Sequence, residues 1–256
     1  MRSSLAFLLV LSLAACEPDP TGPQGDEAAV ALVRQVQAAH GSDALDGATL
    51  RFTFRGAPFT ALRDGGRFRY TRTTTDERGR EVIDLLDNDG LSRTVDGEPV
   101  TIPAENQGTV ETDVNSVVYF ATLPAALSDA AVQARAMGPD SVAGERYERL
   151  EVTFAREGGG NDWEDRYLYW VHPERGTLDY IAYTYDLAED DDGPNDTGHR
   201  FRRVIGTAEA GGFRIQDYAN LTADSLSALE EYPAAFAAGR TREVSEIRTE
   251  NARLER

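Results

Sequence analysis

The amino-acid sequence predicts a mainly β fold (α+β), a single antiparallel domain of about 10–11 strands wrapped around helices. Three observations carry this prediction. After residue 49, apolar and polar residues alternate with a period of two, which is typical of strands with one solvated face. Short Gly- and Asp-rich segments separate the alternating runs, as hairpin turns do. Residues 26–39 and 110–121 instead carry apolar side chains at helical spacing.

The first helix is predicted over residues 26–39. Its apolar residues share one stripe at helical spacing: Ala29, Leu32, Val33, Val36 and Ala39. Asp26 is a suitable N-cap, because its side-chain oxygen can accept a hydrogen bond from an unpaired backbone N–H. Gly41 follows the stripe and marks the end of the helix.

Hairpins are predicted in the first half of the domain. In 50–55 and 67–72 the aromatic residues alternate with polar ones, and Phe68 and Tyr70 are set against three arginines. Further strands are predicted at 59–62, 81–86 and 91–95, with turns at 63–66 and 87–90.

The middle of the chain is predicted to be a buried helix that ends before Pro124. Its apolar residues cover nearly every side: Val110, Val114, Val117, Val118, Tyr119, Phe120, Ala121 and Leu123. A helix that is apolar all round is buried, which in a β protein places it against the concave face of the sheet. A short second helix is predicted over 125–132.

Strands resume after this helical segment. They are predicted at 149–155, 164–171, 177–185, 200–206, 212–220 and 241–247. In the hairpin over 164–185 both faces are apolar or aromatic, so we expect both faces to be covered.

The first fifteen residues have the composition of an export signal. One arginine precedes an apolar run of eleven residues, 5–15, which is shorter than the about 20 residues of a membrane-spanning helix. Residues 13–16, Leu-Ala-Ala-Cys, resemble the lipobox of bacterial lipoproteins, and Cys16 is the only cysteine. The resemblance implies a diacylglycerol on the Cys16 thiol and cleavage before it. An ordinary secretory signal with an incidental cysteine is the alternative.

Residues 16–25 are predicted to be the acylated cysteine and a tether. Three prolines and two glycines among residues 17–25 disfavour both helix and sheet. Residues 26–256 are predicted to form one domain. We expect a monomer, held on a membrane through Cys16.

The composition is strongly acidic, with a formal net charge of −18, and all 26 basic residues are arginine. Nucleic acid is therefore excluded as a partner, since binding phosphates needs a basic surface. A GC-rich genome or a salty habitat explains the acidity and the missing lysine, and a cationic partner is the alternative.

Five segments carry a resemblance to a known family. They are Phe52-Thr-Phe-Arg-Gly56, residues 115–124, residues 158–163, Tyr167-Leu-Tyr-Trp170 and Gln216-Asp-Tyr-Ala-Asn220. Together they resemble an uncharacterised lipoprotein family of Bacteroidota and relatives, known as a domain of unknown function, over about residues 26–250. The layout is similar to that of the carrier and receptor proteins of the Lol pathway for outer-membrane lipoproteins.

That resemblance implies a strongly curved half-barrel with helices packed in its concave side. It also implies an apolar hollow for an acyl chain of a lipid or lipoprotein, and a place in the cell envelope. We interpret the location as the outer membrane. No cofactor is implied.

Motifs for catalysis and metal binding are missing from the sequence. There is no His-Glu-x-x-His, no Gly-x-Ser-x-Gly and no phosphate-binding glycine loop. His40, His172 and His199 are too far apart in sequence to suggest a zinc site, and His172 is expected in a turn. The acidic segments 87–90 and 189–193 do not follow the EF-hand pattern, so they are predicted to be turns. The sequence predicts no enzyme and no metal.

Aromatic residues are the best indication of function. Seven of them are predicted to line one apolar hollow: Phe52, Phe54, Phe68, Tyr70, Tyr119, Phe120 and Trp170. A filled core without a ligand is the competing interpretation. A second hypothesis is a glycan-binding module or hydrolase that uses the loop 158–166, where Asp162, Glu164 and Asp165 surround Trp163.

Overall fold

The computed structural model describes residues 22–157, 163–186, 197–224 and 226–256. The α-helices within these ranges are α1 (Glu27–His40), α2 (Ala104–Thr122) and α3 (Tyr232–Ala237). Short 3-10 helices span Ser42–Leu45, Ala125–Ser128 and Leu229–Glu231. The strands are β1 (Gln24–Gly25), β2 (Ala48–Phe54), β3 (Ala57–Asp64), β4 (Arg67–Thr75), β5 (Glu81–Asp87), β6 (Gly90–Val95), β7 (Glu98–Val100), β8 (Val132–Val142), β9 (Glu145–Phe154), β10 (Tyr167–Val171), β11 (Leu178–Asp186), β12 (Thr197–Ala210), β13 (Phe213–Thr222), β14 (Arg242–Ile247) and β15 (Glu250–Glu255).

The described strands form two open sheets. The eight-stranded sheet has the order β1-β8-β9-β10-β11-β12-β13-β14, and the seven-stranded sheet has the order β15-β2-β3-β4-β5-β6-β7. Neighbouring strands are antiparallel except β1, which is parallel to β8. Neither sheet closes into a barrel within the described ranges, so the predicted mainly β, α+β fold with an open, curved architecture is confirmed.

The strand count is higher than the predicted 10–11, because β1, β7, β8 and β15 were not anticipated. In β8 the residues Gly138 and Pro139 obscure the strand pattern. The structure accommodates them with an irregularity in the pairing between Ala136 and Gly138, where Gly138 has a φ of 73°. The helix expected over 125–132 is correspondingly shorter and is the 3-10 turn Ala125–Ser128.

Helix α1 begins and ends where the sequence indicates. The Asp26 side chain accepts a hydrogen bond from the Ala29 backbone N–H at 2.8 Å. Gly41 ends the helix with a φ of 65°, and a side chain there would also meet the carbonyl oxygen of Gly212. Four residues of the predicted apolar stripe are buried against the eight-stranded sheet: Ala29, Leu32, Val33 and Val36. Ala39, the fifth, is exposed in the last turn of the helix.

Helix α2 lies between the two sheets, in contact with β4 and β5 on one side and β13 on the other. Val114, Val118 and Ala121 pack with the seven-stranded sheet, whereas Phe120 packs with the eight-stranded sheet. Within the described ranges the chain passes from one sheet to the other between β1 and β2, between β7 and β8, where α2 lies, and between β14 and β15. The predicted burial of α2 on more than one side is thus confirmed.

The hairpin of β10 and β11 is covered on both faces, as expected. Tyr167, Tyr169 and Val171 face the cluster that contains α1 and α2. Leu168 and Trp170 face the opposite way, into a cluster with α3. Alternation along a strand sends successive side chains to opposite faces.

Arg72 lies on the opposite face of β4 from the one expected. From the sequence, the arginines of β4 are expected on the face opposite Phe68 and Tyr70. Arg72 lies at an even position like these two residues, so all three share the inner face of the sheet. Only 17% of the Arg72 side chain is exposed, and it pairs with the fully buried Asp84 of β5. An arginine can occupy an inner position here because the facing strand supplies a carboxylate.

His40 is buried at the end of α1, where its Nε2 accepts a hydrogen bond from the Leu178 backbone N–H at 3.1 Å. Burial, together with the nearby Arg214 charge, lowers the pKa of His40 from 6.5 to about 4. Between these values the unfolded chain binds a proton that the folded chain does not. The contribution of neutral His40 to stability is therefore complete above pH 6.5 and lost as the pH falls toward 4.

We expect the free energy of unfolding to fall by up to about 3 kcal/mol through this group between pH 7 and pH 4, at about 1.4 kcal/mol per pKa unit. Urea denaturation across this range measures it. His40→Gln keeps an acceptor without the titration and should show a shallower pH dependence. His172→Gln, in a partly exposed turn, should behave like the unmodified chain. If the free energy of unfolding depends on pH equally in His40→Gln and in the unmodified chain, the pH dependence does not come from His40.

Several predictions fall outside the described residues. These are the signal 1–15, Cys16, most of the tether 16–25, the glycine-rich part of the loop 158–166 and the acidic segment 189–193. Among the helices of the described ranges, none combines the length and the apolar character that a transmembrane span requires.

Candidate functional site

The candidate site is a cavity of about 480 Å³ between α2, the seven-stranded sheet and the ends of β9 and β10; we call it the aromatic cavity. Six aromatic rings line it, together with Leu86, Ala126 and Ala131. The rings belong to Phe68, Tyr70, Tyr119, Phe120, Phe154 and Tyr167.

Tyr119 stands at the centre of this aromatic wall. Its ring centroid lies 5.4 Å from that of Phe120, 5.6 Å from that of Tyr167 and 6.1 Å from that of Phe154. Its hydroxyl oxygen lies 2.6 Å from that of Tyr169. Burial raises the pKa of Tyr119 above its ordinary range, so this hydroxyl is neutral at physiological pH.

One ion pair interrupts the aromatic lining. Arg63 of β3 donates a hydrogen bond to the Tyr70 hydroxyl at 2.6 Å and pairs with Asp129, which follows the 3-10 turn. Arg63 and Asp129 both line the cavity, so their charges offset one another in its wall.

Part of the wall of the aromatic cavity is acidic. Asp87, Asp89 and Glu111 line it beside Asn88, and Asn88 and Asp89 are exposed. Asn88 connects two turns, since its Oδ1 accepts from the Phe68 N–H and its Nδ2 donates to the Gly66 carbonyl. Segment 87–90 is thus the hairpin turn that the sequence predicts.

A second cavity of about 270 Å³ lies on the other side of α2; we call it the arginine cavity. Ser116 and Phe120 line both cavities, so this helix separates the two spaces. The remaining lining residues are Phe54, Arg55, Asp113, Val117, Ala121, Arg202, Gln216, Tyr218, Asn220, Ile247 and Thr249.

Arg202 of β12 is the most unusual residue of the arginine cavity. It is only 7% exposed, and its Nη2 donates to the Tyr183 hydroxyl at 2.8 Å. The guanidinium carbon lies 3.4 Å from the centroid of the Phe120 ring. Within the described residues its Nε and Nη1 have no hydrogen-bond acceptor.

The structure brings together four of the seven aromatic residues predicted from the sequence: Phe68, Tyr70, Tyr119 and Phe120 line the aromatic cavity. Phe54 lies at the arginine cavity instead. Phe52 is buried in the core, stacked on Phe59 at 5.4 Å.

Trp170 lies away from both cavities. It packs in the cluster on the opposite face of the eight-stranded sheet, with Phe201 at 5.7 Å. The expectation that one hollow collects all seven rings is therefore wrong for Trp170, as it is for Phe52 and Phe54. Trp170 lies at an even position of β10 and Tyr167 and Tyr169 at odd positions, so its side chain faces the opposite side of the sheet.

Sequence reasoning missed Arg63, Asp129 and Arg202. The sequence does contain an indication that Arg202 is buried. Phe201, Arg202 and Arg203 follow one another in a strand that pairs with a hairpin covered on both faces. Because successive residues of a strand face opposite sides of the sheet, either Arg202 or Arg203 must face the protein interior on each side.

The alternative site at loop 158–166 is described only from Trp163 onward. The Arg156 guanidinium lies 5.2 Å from the Trp163 ring and covers it. Asp165 is buried and accepts a hydrogen bond from the Tyr167 hydroxyl at 3.4 Å, whereas Glu164 is exposed. Asp162 lies outside the described residues.

The histidines occupy separate places. His172 Nδ1 accepts hydrogen bonds from the backbone N–H groups of Glu174 and Arg175, which is the turn role expected from the sequence. His199 Nδ1 lies 2.5 Å from the Tyr232 hydroxyl. Across the parts of the chain that the structure covers, no group of three His, Cys, Asp or Glu side chains is arranged to hold a metal ion.

The chain belongs to a family of unknown function, DUF6503, whose model matches residues 59–249. The resemblance to a family of unknown function is thus confirmed at that level, and its lipoprotein character stays a prediction. No curated protein matches the chain in sequence.

Three solved structures are similar to parts of this chain. An outer membrane lipoprotein-sorting protein domain from Vibrio parahaemolyticus is 8% identical over 87% of this chain and 93% of that one, with a TM-score of 0.38. A DUF1329 family protein from Desulfovibrio piger is 10% identical over 75% and 86%, with a TM-score of 0.38. The Mycobacterium tuberculosis lipoprotein LppX is 13% identical over 66% and 98%, with a TM-score of 0.26. Likenesses at this level carry no argument about function.

Proposed function

We propose that this member of DUF6503 binds an apolar ligand, an acyl chain of a lipid or lipoprotein, in the aromatic cavity. The supporting observation is a hollow of about 480 Å³ lined by six aromatic rings. Its volume lies in the range of about 300–1,000 Å³ that is usual for ligand pockets. A binding role is proposed, and no reaction is assigned.

The tyrosines of the cavity favour an apolar ligand because each of their hydroxyls already has a hydrogen-bond partner in the protein. The Tyr119 hydroxyl lies against that of Tyr169, and the Tyr70 hydroxyl accepts from Arg63. The Tyr167 hydroxyl donates to Asp165. The rings are left to contact a ligand, and each methylene group that they bury contributes about 0.8 kcal/mol.

We further propose that the protein is a lipoprotein of the cell envelope, anchored through an acylated Cys16. The predicted tether is two residues shorter than 16–25, because Gln24 and Gly25 pair with β8 as strand β1. A tether over 16–23 would then hold the cavity close to a bilayer. The membrane would be the source of the ligand. The outer membrane remains our proposed location.

Native mass spectrometry of the chain extracted from its host membrane tests the binding role. We expect a bound species of lipid mass that leaves the protein on denaturation. Ala131→Phe places a ring into the cavity and should weaken binding about tenfold, the equivalent of about two buried methylenes. Ala130→Phe is the matched control, because the adjacent Ala130 is exposed and lies outside the lining. Equal binding by both variants, or a protein that carries and accepts no apolar ligand, would overturn the proposal.

The same sample reports on the anchor. After denaturation, the intact mass should equal that of residues 16–256 plus covalently attached acyl groups. A mass that equals that of the unmodified polypeptide would show that Cys16 carries no acyl group. The proposal that the aromatic cavity binds an apolar ligand would be unaffected.

A further inference from the structure

We propose that Arg202 recognises the carboxylate of an amphiphilic ligand whose apolar chain occupies the aromatic cavity. This inference rests on the proposed function and deepens it, because it defines the ligand as a monoanionic carboxylate with an acyl tail.

The charge of Arg202 is unbalanced among the described residues. The side chain is 7% exposed, yet it forms no ion pair with a described carboxylate. Tyr183 accepts a hydrogen bond from Nη2, whereas the donors on Nε and Nη1 have no acceptor among the described residues. Buried charges are normally paired, so an unpaired one marks a place where a counterion is missing.

Three aromatic rings surround the Arg202 guanidinium. The rings of Phe120, Tyr183 and Tyr218 lie 3.4, 5.1 and 5.9 Å from the guanidinium carbon. Cation–π attraction from these rings holds a guanidinium in an interior. It does not satisfy the N–H donors, which still require an oxygen.

Phe120 lies at the boundary between the two cavities. Ser116 and Phe120 are one turn apart on α2 and line both of them. The Phe120 ring separates the aromatic cavity from the Arg202 guanidinium, which it covers. A carboxylate at the end of a chain in the aromatic cavity therefore reaches Arg202 only when this ring rotates aside.

The charges of the two cavities set the direction of the ligand. The wall of the aromatic cavity includes Asp87, Asp89 and Glu111, which would repel an anionic head group. In the arginine cavity, Asp113 is already paired with Arg72. The head group is thus favoured at Arg202 and the tail in the aromatic cavity.

The donors of Arg202 favour one class of anion. A single guanidinium offers one positive charge and a planar pair of donors, which matches the two oxygens of a carboxylate. A phosphate dianion would need a second free cation, and the other arginine of this cavity, Arg55, is exposed beside Phe54.

Native mass spectrometry titrations with palmitic acid and its methyl ester test this inference. The two probes share one chain and differ in the charge of the head group. We expect the unmodified chain to prefer the acid at least tenfold, and Arg202→Met to bind both equally. Arg203→Met is the matched control, because the neighbouring residue faces the other side of β12, and it should keep the preference.

The Arg202→Met variant should fold, because an unpaired buried charge is replaced by an apolar side chain of similar length. Arg202→Lys is a second variant that keeps the charge and should keep part of the preference.

Each remaining outcome overturns the inference in a recognisable way. Equal binding of acid and ester by the unmodified chain leaves the proposed function standing and removes Arg202 from it. Failure of both probes to bind ends both proposals. A thermal shift by acetate that depends on Arg202, without binding of palmitic acid, would show a site for small anions only.

Discussion

Replacing Asp84 with alanine is expected to lower the free energy of unfolding by about 3–5 kcal/mol, the usual effect of removing one partner of a buried ion pair. Asp84 is fully buried on β5 between Arg72 of β4 and Arg93 of β6, which lie directly opposite it across the sheet. Its Oδ2 accepts from Arg72 at 2.9 Å and its Oδ1 from Arg93 at 2.6 Å. Without it, two guanidinium groups lose their common acceptor inside the protein.

The effect extends to α2, because Arg72 also donates to Asp113 of that helix at 2.8 Å. Losing Asp84 therefore loosens the contact between the seven-stranded sheet and the helix that separates the two cavities. We expect ligand binding to weaken along with stability.

Chemical denaturation of matched variants measures this prediction. Glu246→Ala removes one partner of an exposed pair with Arg248 and should change stability by less than about 1 kcal/mol. Asp84→Asn keeps one acceptor oxygen and should lie between Asp84→Ala and the unmodified chain. Replacing Asp84, Arg72 and Arg93 together with methionine should restore much of the loss. A cost for Asp84→Ala as small as that for Glu246→Ala would show that the cluster is not held as described.

Trp170→Ala is expected to lower the free energy of unfolding by about 3–5 kcal/mol without changing ligand specificity. Trp170 is fully buried, packs edge-on against Phe201 and donates from Nε1 to Asp140 at 3.0 Å. Its removal leaves a large void in the cluster that joins the eight-stranded sheet to α3. It touches neither cavity.

Trp163 is the matched control for Trp170, since the chain contains two tryptophans. Trp163 is partly exposed beside Arg156, so Trp163→Ala should cost about 1 kcal/mol or less. Trp170→Phe keeps an aromatic ring and allows binding to be measured in a folded protein. A loss of palmitic acid binding in Trp170→Phe would show that Trp170 contacts the ligand and would contradict its position outside both cavities.

Local sequence patterns account for most elements of the fold. The cap at Asp26, the stop at Gly41 and the turn at 87–90 all depend on residues close together in the chain. Strand alternation has the same local origin, because a period of two is a property of the extended backbone. Strand β8 escaped prediction because Gly138 and Pro139 break the pattern, while pairing with β9 supplies the strand.

The candidate site was less predictable, because it depends on residues that are distant in sequence. Arg63 and Asp129 meet in the cavity wall although 66 positions separate them. Arg202 meets Phe120 only because α2 is placed against β13, whose neighbour in the sheet is β12. The seven aromatic residues were placed together because of their residue type. The alternation of side chains along β10 instead puts Trp170 on the face of the eight-stranded sheet opposite the aromatic cavity.

The sequence by itself determined the mainly β fold, the positions of α1 and α2, the hairpin turns and an aromatic wall around Tyr119 and Phe120. Only the tertiary structure decided that this wall lines a hollow, and that an arginine with no ion pair among the described residues lies behind it. The reason is physical. Secondary structure follows from hydrogen bonds and side-chain periods within short segments. A cavity is the space left between surfaces that distant segments bring together, and burial of a charge depends on what the whole fold places beside it.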